Sequence, residues 1–155
     1  MGGVNAMAMN MVARYRILAV KRGLTLGTLR DASATEFRLL VCSAALAIPK
    51  GRPFPEREIN EMLCKWLAAA GAMLSIDHVE LRRWLADLGL VSRDRAGSRY
   101  SRGEFNAEYA DIAREIAGIN LGQVASGAID AEEARRAQRK ASWQARQKDS
   151  DAQAH

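Results

Sequence analysis

The chain has few of the residues on which catalysis and metal binding usually depend. Only two of its 155 residues are histidine, His78 and His155, and only two are cysteine, Cys42 and Cys64. The cysteines lie in apolar helical patterns rather than at metal-ligand spacing, which predicts small core residues in a reducing environment. No glycine-rich phosphate-binding loop follows a predicted strand. We therefore expect no enzyme activity, no cofactor and no metal site.

Long apolar runs are also missing. No stretch approaches the roughly 20 residues needed to span a bilayer. The apolar residues 17–20, which follow Arg14 and Arg16, are too few for the signal-peptide core of about 7 to 15 residues. The sequence therefore predicts a cytoplasmic protein with no membrane partner.

Acidic residues are outnumbered by basic ones. Lys and Arg total 23 against 18 Asp and Glu, which gives a formal charge of +5 and a pI near 9.6. This balance favours polyanionic partners, although many basic proteins bind none. The length fits one ordinary globular domain, with room for a tail.

The N-terminal 30 residues form the first predicted segment. The first ten residues show no apolar period and are expected to be disordered. A short helix is predicted over residues 11–21. The segment to Arg30 carries five basic residues and no acid, which is compatible with a basic arm or with an amphipathic packing helix.

Residues 31–118 are predicted to form a winged-helix domain with packing helices. A first helix runs from Ser33 or Thr35 to about residue 47. A second begins at Pro55 and ends at about residue 71, and a third is capped by Asp77 and ends at Gly89. Each shows the apolar spacing of an amphipathic helix.

Two short strand-like runs follow the third helix. Residues 90–93 and 98–101 flank a turn in which Gly97 supplies a positive φ. Three helices followed by a hairpin are the order of a winged helix-turn-helix. The predicted fold class is therefore mainly α with a small β-hairpin, with a winged helix-turn-helix core at residues 54–102 and flanking N- and C-terminal helices.

Two further helices are predicted after the hairpin. One spans about residues 106–117, and Asp130 is expected to cap the last one. Residues 119–155 then form a basic helical tail that is expected to be mobile. The tail's Trp143 and its basic residues favour nonspecific phosphate affinity with stacking on an unpaired base, or else a solubilising appendage.

The third helix is where a helix-turn-helix contacts the DNA major groove. His78, Arg82 and Arg83 lie on its predicted exposed face. Arginine can bind guanine or phosphate through two donors, so this face is a candidate nucleic-acid site. The alternative is a solvated face whose arginines pair with Glu80 or Asp87.

The hairpin carries a second basic set, namely Arg93, Arg95, Arg99 and Arg102. Alternation along the strands predicts Arg93 and Arg95 on one side, across from Arg99, where they suit phosphate or minor-groove contact. The alternative is that the arginines protect a soluble strand edge. The two basic elements together favour nucleic acid more than either does alone.

Three separated blocks of the sequence resemble a known family. Residues 54–63 (FPEREINEML), Asp77 followed by residues 81–85 (LRRWL), and residues 89–100 with Gly-Leu-Val-Ser-Arg and Gly-Ser-Arg-Tyr occur in order over about a third of the chain. They are similar to a bacterial domain of unknown function that occurs alone or fused to winged-helix transcriptional regulators, including ArsR-like ones. The residues that carry the pattern are Glu58, Asn60, Asp77, Arg82, Arg83, Arg93, Gly97 and Tyr100.

The resemblance implies a regulator-like winged helix and leaves two roles open for Arg82. It contacts DNA, or it holds an internal acid such as Glu58. Asn60 would fasten the first helix of the pair to the turn.

The function predicted from the sequence is that of a DNA-binding bacterial transcriptional regulator that uses the helix 77–88 and the wing 90–101. The alternative is a protein-interaction or self-association module on the same scaffold, and a homodimer is compatible with either. An RNA-binding variant would prefer single strands and depend on Trp143.

Overall fold

A computed structural model describes the backbone of residues 2–154 and the side chains of residues 10–154. In this part of the chain there are seven helices and three strands. They are α1 (Gly2–Ala19), α2 (Leu26–Ala32), α3 (Ala34–Leu46), β1 (Phe54–Pro55), α4 (Glu56–Ala68), α5 (His78–Asp87), β2 (Val91–Arg93), β3 (Arg99–Arg102), α6 (Ala107–Ile116) and α7 (Leu121–Gln153).

The elements from α3 to β3 have the order of a winged helix, as predicted. The helices α3, α4 and α5 precede the hairpin β2–β3, and the short strand β1 lies between α3 and α4. The antiparallel sheet has the order β1-β3-β2, with Phe54 opposite Tyr100 and Ser92 opposite Ser101. We therefore describe β2, β3 and their turn as the wing.

Strand β1 is a feature that the sequence pattern did not predict. It has only two residues, too few to show the alternation that identifies a strand. Its Pro55 lies opposite Arg99 at the edge of the sheet, where a residue without an N–H is tolerated. Pro55 is therefore the residue before α4 rather than its first residue.

Helix α3 forms the centre of the core. Eight of its 13 residues are buried, which is the pattern of a helix covered on most sides. Trp66 of α4 packs against it and donates from Nε1 to the buried Ser43 Oγ at 2.8 Å. This bond provides the partner that a buried indole N–H requires.

Helix α1 packs on the core through Met11, Tyr15 and Leu18. The fully buried Tyr15 hydroxyl donates to the carbonyl of Ala70 at 2.7 Å. Of the predicted disordered start, Met1 lies outside the described residues, and the backbone of residues 2–10 continues in α1.

Both predicted ends of α5 and the predicted glycine turn of the wing are confirmed. The Asp77 carboxylate accepts from the N–H of Glu80 at 2.8 Å and caps α5. Gly89 and Gly97 have φ angles of +76° and +72°, which only glycine adopts without strain.

The predicted start of the last helix at Asp130 is wrong. Helix α7 begins at Leu121, where the Asn120 side chain accepts from the N–H of Gln123 at 3.1 Å. Glycines at 122 and 127 lower helix propensity by about 1 kcal/mol each relative to alanine. Burial of Leu121 and Ala125 offsets this cost, so the helix continues through Asp130.

The second half of α7 has no packing partner among the described residues. Every residue from 133 to 154 is exposed. Over the described part of the chain, no helix combines the length and apolar character needed to cross a membrane.

Candidate nucleic-acid interface

Arg82 is largely enclosed between α4, α5 and the wing. Its side chain is 14% exposed, and its Nη2 lies 2.9 Å from Glu56 Oε1. Its Nη1 donates to Asn60 Oδ1 at 2.6 Å, and the guanidinium lies 5.2 Å from the centre of the Tyr100 ring. Arg82 therefore joins three elements, and we call these four residues the Arg82 cluster.

The Arg82 cluster decides between the two roles that the sequence left open. The side chain holds an internal acid, and that acid is Glu56 rather than Glu58. Asn60 fastens α4 to α5 through the same guanidinium. Because both Nη atoms are engaged, Arg82 is not free for a phosphate in this conformation.

The exposed face of α5 carries mixed charge. Arg83 is exposed, and no carboxylate of the described residues lies within 4.0 Å of it. However, Glu80 and Asp87 line the same shallow hollow as Arg83 and Arg30. His78, the first residue of α5, is half-buried. In a major groove this face would bring two carboxylates towards the phosphates, so it is weakly suited to lead the contact.

The turn of the wing is held by Asp94. Its Oδ1 accepts from the backbone N–H of Ser98 at 2.9 Å and of Arg99 at 3.3 Å. Desolvation raises the pKa of this carboxyl, but backbone hydrogen bonds from Ser98, Arg99 and Gly97 and the charge of Arg99 outweigh it. The pKa of Asp94 is therefore below its ordinary value. A charged Asp94 fixes the geometry of the turn.

Arg93 closes the same turn from the strand. Its Nε donates to the carbonyl of Gly97 at 2.9 Å, and its guanidinium lies 5.7 Å from the centre of the Tyr100 ring. A β-carbon at Gly97 would lie 2.7 Å from Arg93 Nη2 and would displace this guanidinium, but it is the φ of +72° that requires glycine. Arg93 thus has a structural role.

Arg95 and Arg99 are the two wing arginines that remain available. Both are exposed, and neither has a carboxylate within 4.0 Å among the side chains of residues 10–154. Arg95 lies in the turn rather than in a strand. Arg99 is one residue away from the buried Tyr100, so it lies on the opposite, outer face of the sheet from Tyr100 and Arg93.

Arg102 is half-buried at the end of β3. Its guanidinium lies 5.8 Å from the centre of the Phe105 ring. Its Nε–H is buried and donates to no acceptor in the described part of the structure. Arg102 therefore packs at the base of the wing, away from its tip.

Two basic residues beside β1 were not predicted as site residues. Arg52 and Arg57 are exposed and flank the strand that pairs with β3. The guanidinium of Arg52 lies 4.4 Å from the centre of the Phe54 ring. Only the pairing of β1 with β3 brings these residues next to the wing, and the sequence alone held no signal for that pairing. We call Arg52, Arg57, Arg95 and Arg99 the wing-side basic surface.

The elements that carry this surface coincide with a known family. Residues 32–102 match the family model described as "Uncharacterized protein conserved in bacteria (DUF2087)". We call the matched residues 32–102 the DUF2087 domain. The match begins at the end of α2 and stops at the last residue of β3. No curated protein and no solved structure matches the chain.

The DUF2087 domain thus contains the whole winged helix, the Arg82 cluster and the wing-side basic surface. The helices α1, α6 and α7 lie outside it. Within the DUF2087 domain the predicted arginines fall into two groups. Arg83, Arg95 and Arg99 are exposed and form no ion pair, whereas Arg82, Arg102 and the exposed Arg93 contact other residues of the protein.

Proposed function

We propose that the DUF2087 domain binds double-stranded DNA and that the protein is a cytoplasmic bacterial transcriptional regulator. The observation that carries the proposal is the pair Arg95 and Arg99, exposed on a turn that Asp94 and Arg93 hold in place. A rigid turn bearing free guanidinium groups can contact phosphates without first having to be ordered. Arg52 and Arg57, exposed on either side of β1, add positive charge next to the strand that pairs with β3.

In this proposal the wing-side basic surface makes the main contacts with the DNA phosphates, and α5 makes additional contacts. Phosphate contacts set the position of a protein on the duplex, and contacts with base edges set its sequence preference. Arg83 is the exposed α5 side chain that can bind a guanine edge through two donors. Glu80 can accept from a cytosine amino group.

Salt dependence gives a quantitative expectation. Each neutralised phosphate contributes about 0.9 to the log-log slope of affinity against salt, so four contacts predict a slope of about −3.6. The double variant Arg95→Gln/Arg99→Gln should lose about 1.8 of that slope. It should keep its fold, because neither side chain forms an ion pair in the described structure.

The test is a titration of a labelled mixed-sequence duplex with the protein at several salt concentrations. Fluorescence anisotropy of the label measures the binding. The matched control is Lys65→Gln/Arg114→Gln, which removes the same charge from exposed positions away from the wing. A weakened wing variant beside an unchanged control supports the proposal. Absence of duplex binding by the wild-type protein at low salt contradicts it, as does an equal effect of the two double variants.

Self-association is the second candidate, favoured by an apolar groove between α1 and α7. Ile17 is 63% exposed there. The groove measures about 610 Å³ and is also lined by Val20, Val124 and Ala128. A second copy would cover this surface, giving the two-fold arrangement with which regulators bind paired half-sites. Sedimentation of the Ile17→Ser variant tests it, since loss of a wild-type dimer would support this candidate.

A further inference from the structure

We propose that the exposed half of α7 is a second nucleic-acid surface, which binds single-stranded DNA or RNA by stacking on Trp143. It goes beyond the proposed function, because it lies outside the DUF2087 domain and takes a different form of nucleic acid. We call residues 133–153 the α7 arm.

The α7 arm is long, and no other described element packs against it. At about 1.5 Å per residue, its 21 residues extend for roughly 32 Å, and every one is exposed. Trp143 is 58% exposed near its middle. A tryptophan in this setting offers a stacking face at little cost, because no packing has to be broken.

One face of the arm combines this ring with positive charge. At 100° per residue, Arg136, Arg139, Lys140 and Arg146 all lie within about 60° of Trp143 around the helix axis. Between positions 134 and 148 the arm has no acidic residue. Trp143 also lines a shallow surface hollow with Ala141, Ala145 and Lys148.

The Glu132 carboxylate lies at the start of this face, and three arginines share it. Glu132 contacts Arg135 at 2.9 Å, Arg136 at 3.3 Å and Arg139 at 3.4 Å. Hydrogen bonding and charge from Arg135 and Arg139 hold the pKa of Glu132 below its ordinary value. One negative charge among three arginines leaves an excess of two, and the guanidiniums of Arg136 and Arg139 remain about two-thirds exposed.

An aromatic ring within a basic face fits a polyanion whose bases are free to stack. Proteins that bind single strands combine a positive track for the backbone with aromatic platforms for the bases. Duplex DNA keeps its bases stacked and therefore gains little from Trp143. A second copy of this chain would bring the same positive charge to this face, so charge complementarity favours the nucleic acid.

The experiment measures binding of labelled oligo(dT) and oligo(U) to the full chain at low salt. We expect Trp143→Ala to weaken binding about 5- to 100-fold, and Trp143→Phe to retain most of it, because base stacking needs only an aromatic face. Comparing the two oligonucleotides shows whether the 2′-hydroxyl of RNA is recognised. Stacking on a base should quench the fluorescence of Trp143. The change should come mainly from Trp143, because Trp66 is buried and Trp84 is half-buried.

A matched pair of charge variants tests whether the α7 arm matters. Arg146→Gln lies in the arm, whereas Lys65→Gln lies at an exposed position of α4, and each removes one charge. We expect the first to weaken binding and the second to leave affinity within about twofold. Equal effects would mean diffuse attraction and would overturn the proposal, as would Trp143→Ala binding like the wild type.

Two further results separate this surface from the wing and from self-association. Arg95→Gln/Arg99→Gln should weaken duplex binding and leave oligo(dT) binding unchanged, with Trp143→Ala showing the reverse. Loss of oligonucleotide binding in the wing variant would overturn the α7 arm as a separate surface. A dimer that Trp143→Ala dissociates, with no oligonucleotide binding, would assign the face to a second copy instead.

Discussion

Replacement of Arg82 by alanine should destabilise the protein more than any change of a neighbouring exposed arginine. Arg82 makes a 2.9 Å ion pair with Glu56 and a 2.6 Å hydrogen bond to Asn60. A hydrogen bond to a charged group contributes about 1.5–3 kcal/mol, and an unpaired buried acceptor costs about 1–3 kcal/mol. Glu56 is half-exposed, so its carboxylate is hydrated again when Arg82 is removed. The loss of stability is therefore smaller than for a fully buried ion pair.

The expected loss in the free energy of unfolding is therefore about 2–4 kcal/mol. For a chain of this size each kcal/mol lowers Tm by roughly 2–4 °C, so Tm should fall by roughly 4–16 °C. Arg82→Lys should recover only part of the loss, because one ammonium does not reproduce the two-pronged contact with Glu56 and Asn60. Urea unfolding followed by circular dichroism measures the change.

The control for Arg82 is its neighbour. Arg83 is exposed and makes no ion pair within the described structure, so Arg83→Ala should change the unfolding free energy by less than about 0.5 kcal/mol. A double-mutant cycle between Arg82 and Asn60 should show coupling, because the two side chains are in contact. Equal stabilities of Arg82→Ala and Arg83→Ala would refute the structural role of the Arg82 cluster.

Three further perturbations test the wing and the core. Gly97→Ala should cost about 1–2 kcal/mol of unfolding free energy in urea denaturation, because φ is +72° and the new methyl meets Arg93; stability equal to the wild type would contradict the turn geometry. The stabilisation from Asp94 should be fully present above the unfolded-chain pKa near 4 and lost as the pH falls through the lower folded-state pKa. Asp94→Asn should therefore flatten stability against pH below about pH 4 in acid titrations, and an unchanged profile would argue against this role. Tyr15→Phe leaves the Ala70 carbonyl without its donor and should lower Tm, with a loss of about 1–2 kcal/mol; a neutral effect in thermal unfolding would mean that water replaces the hydroxyl.

Local signals in the sequence predicted the elements whose ends are fixed by local chemistry. Asp77 caps α5 through its own side chain, and Gly97 turns the wing through its own φ. Neither effect depends on distant residues. The same local approach failed for β1 and for the start of α7, because the first exists only through pairing with β3 and the second through burial of Leu121.

The candidate site was less predictable than the fold. The sequence supplies seven basic side chains on the third helix and the wing, but it does not say which ones the fold will use internally. Tyr100 lies 5.2 Å from Arg82 and 5.7 Å from Arg93, measured from the ring centre, and Phe105 covers Arg102 in the same way. These aromatic contacts arise only after the strands pair, so helical and strand periodicity could not distinguish these arginines from Arg95 and Arg99.

The division of the arginines also bears on what the family pattern specifies. Most residues of the family pattern stabilise the structure of this chain. Asp77 caps a helix, and Arg93 and Gly97 close the turn of the wing. Asn60, Arg82 and Tyr100 belong to the Arg82 cluster. The four residues of the wing-side basic surface fall outside that pattern. A pattern built mainly from residues that stabilise a fold can be shared by domains with different ligands. It follows that the match to the DUF2087 family model does not by itself point to a ligand, and DNA binding has to be tested through Arg95 and Arg99.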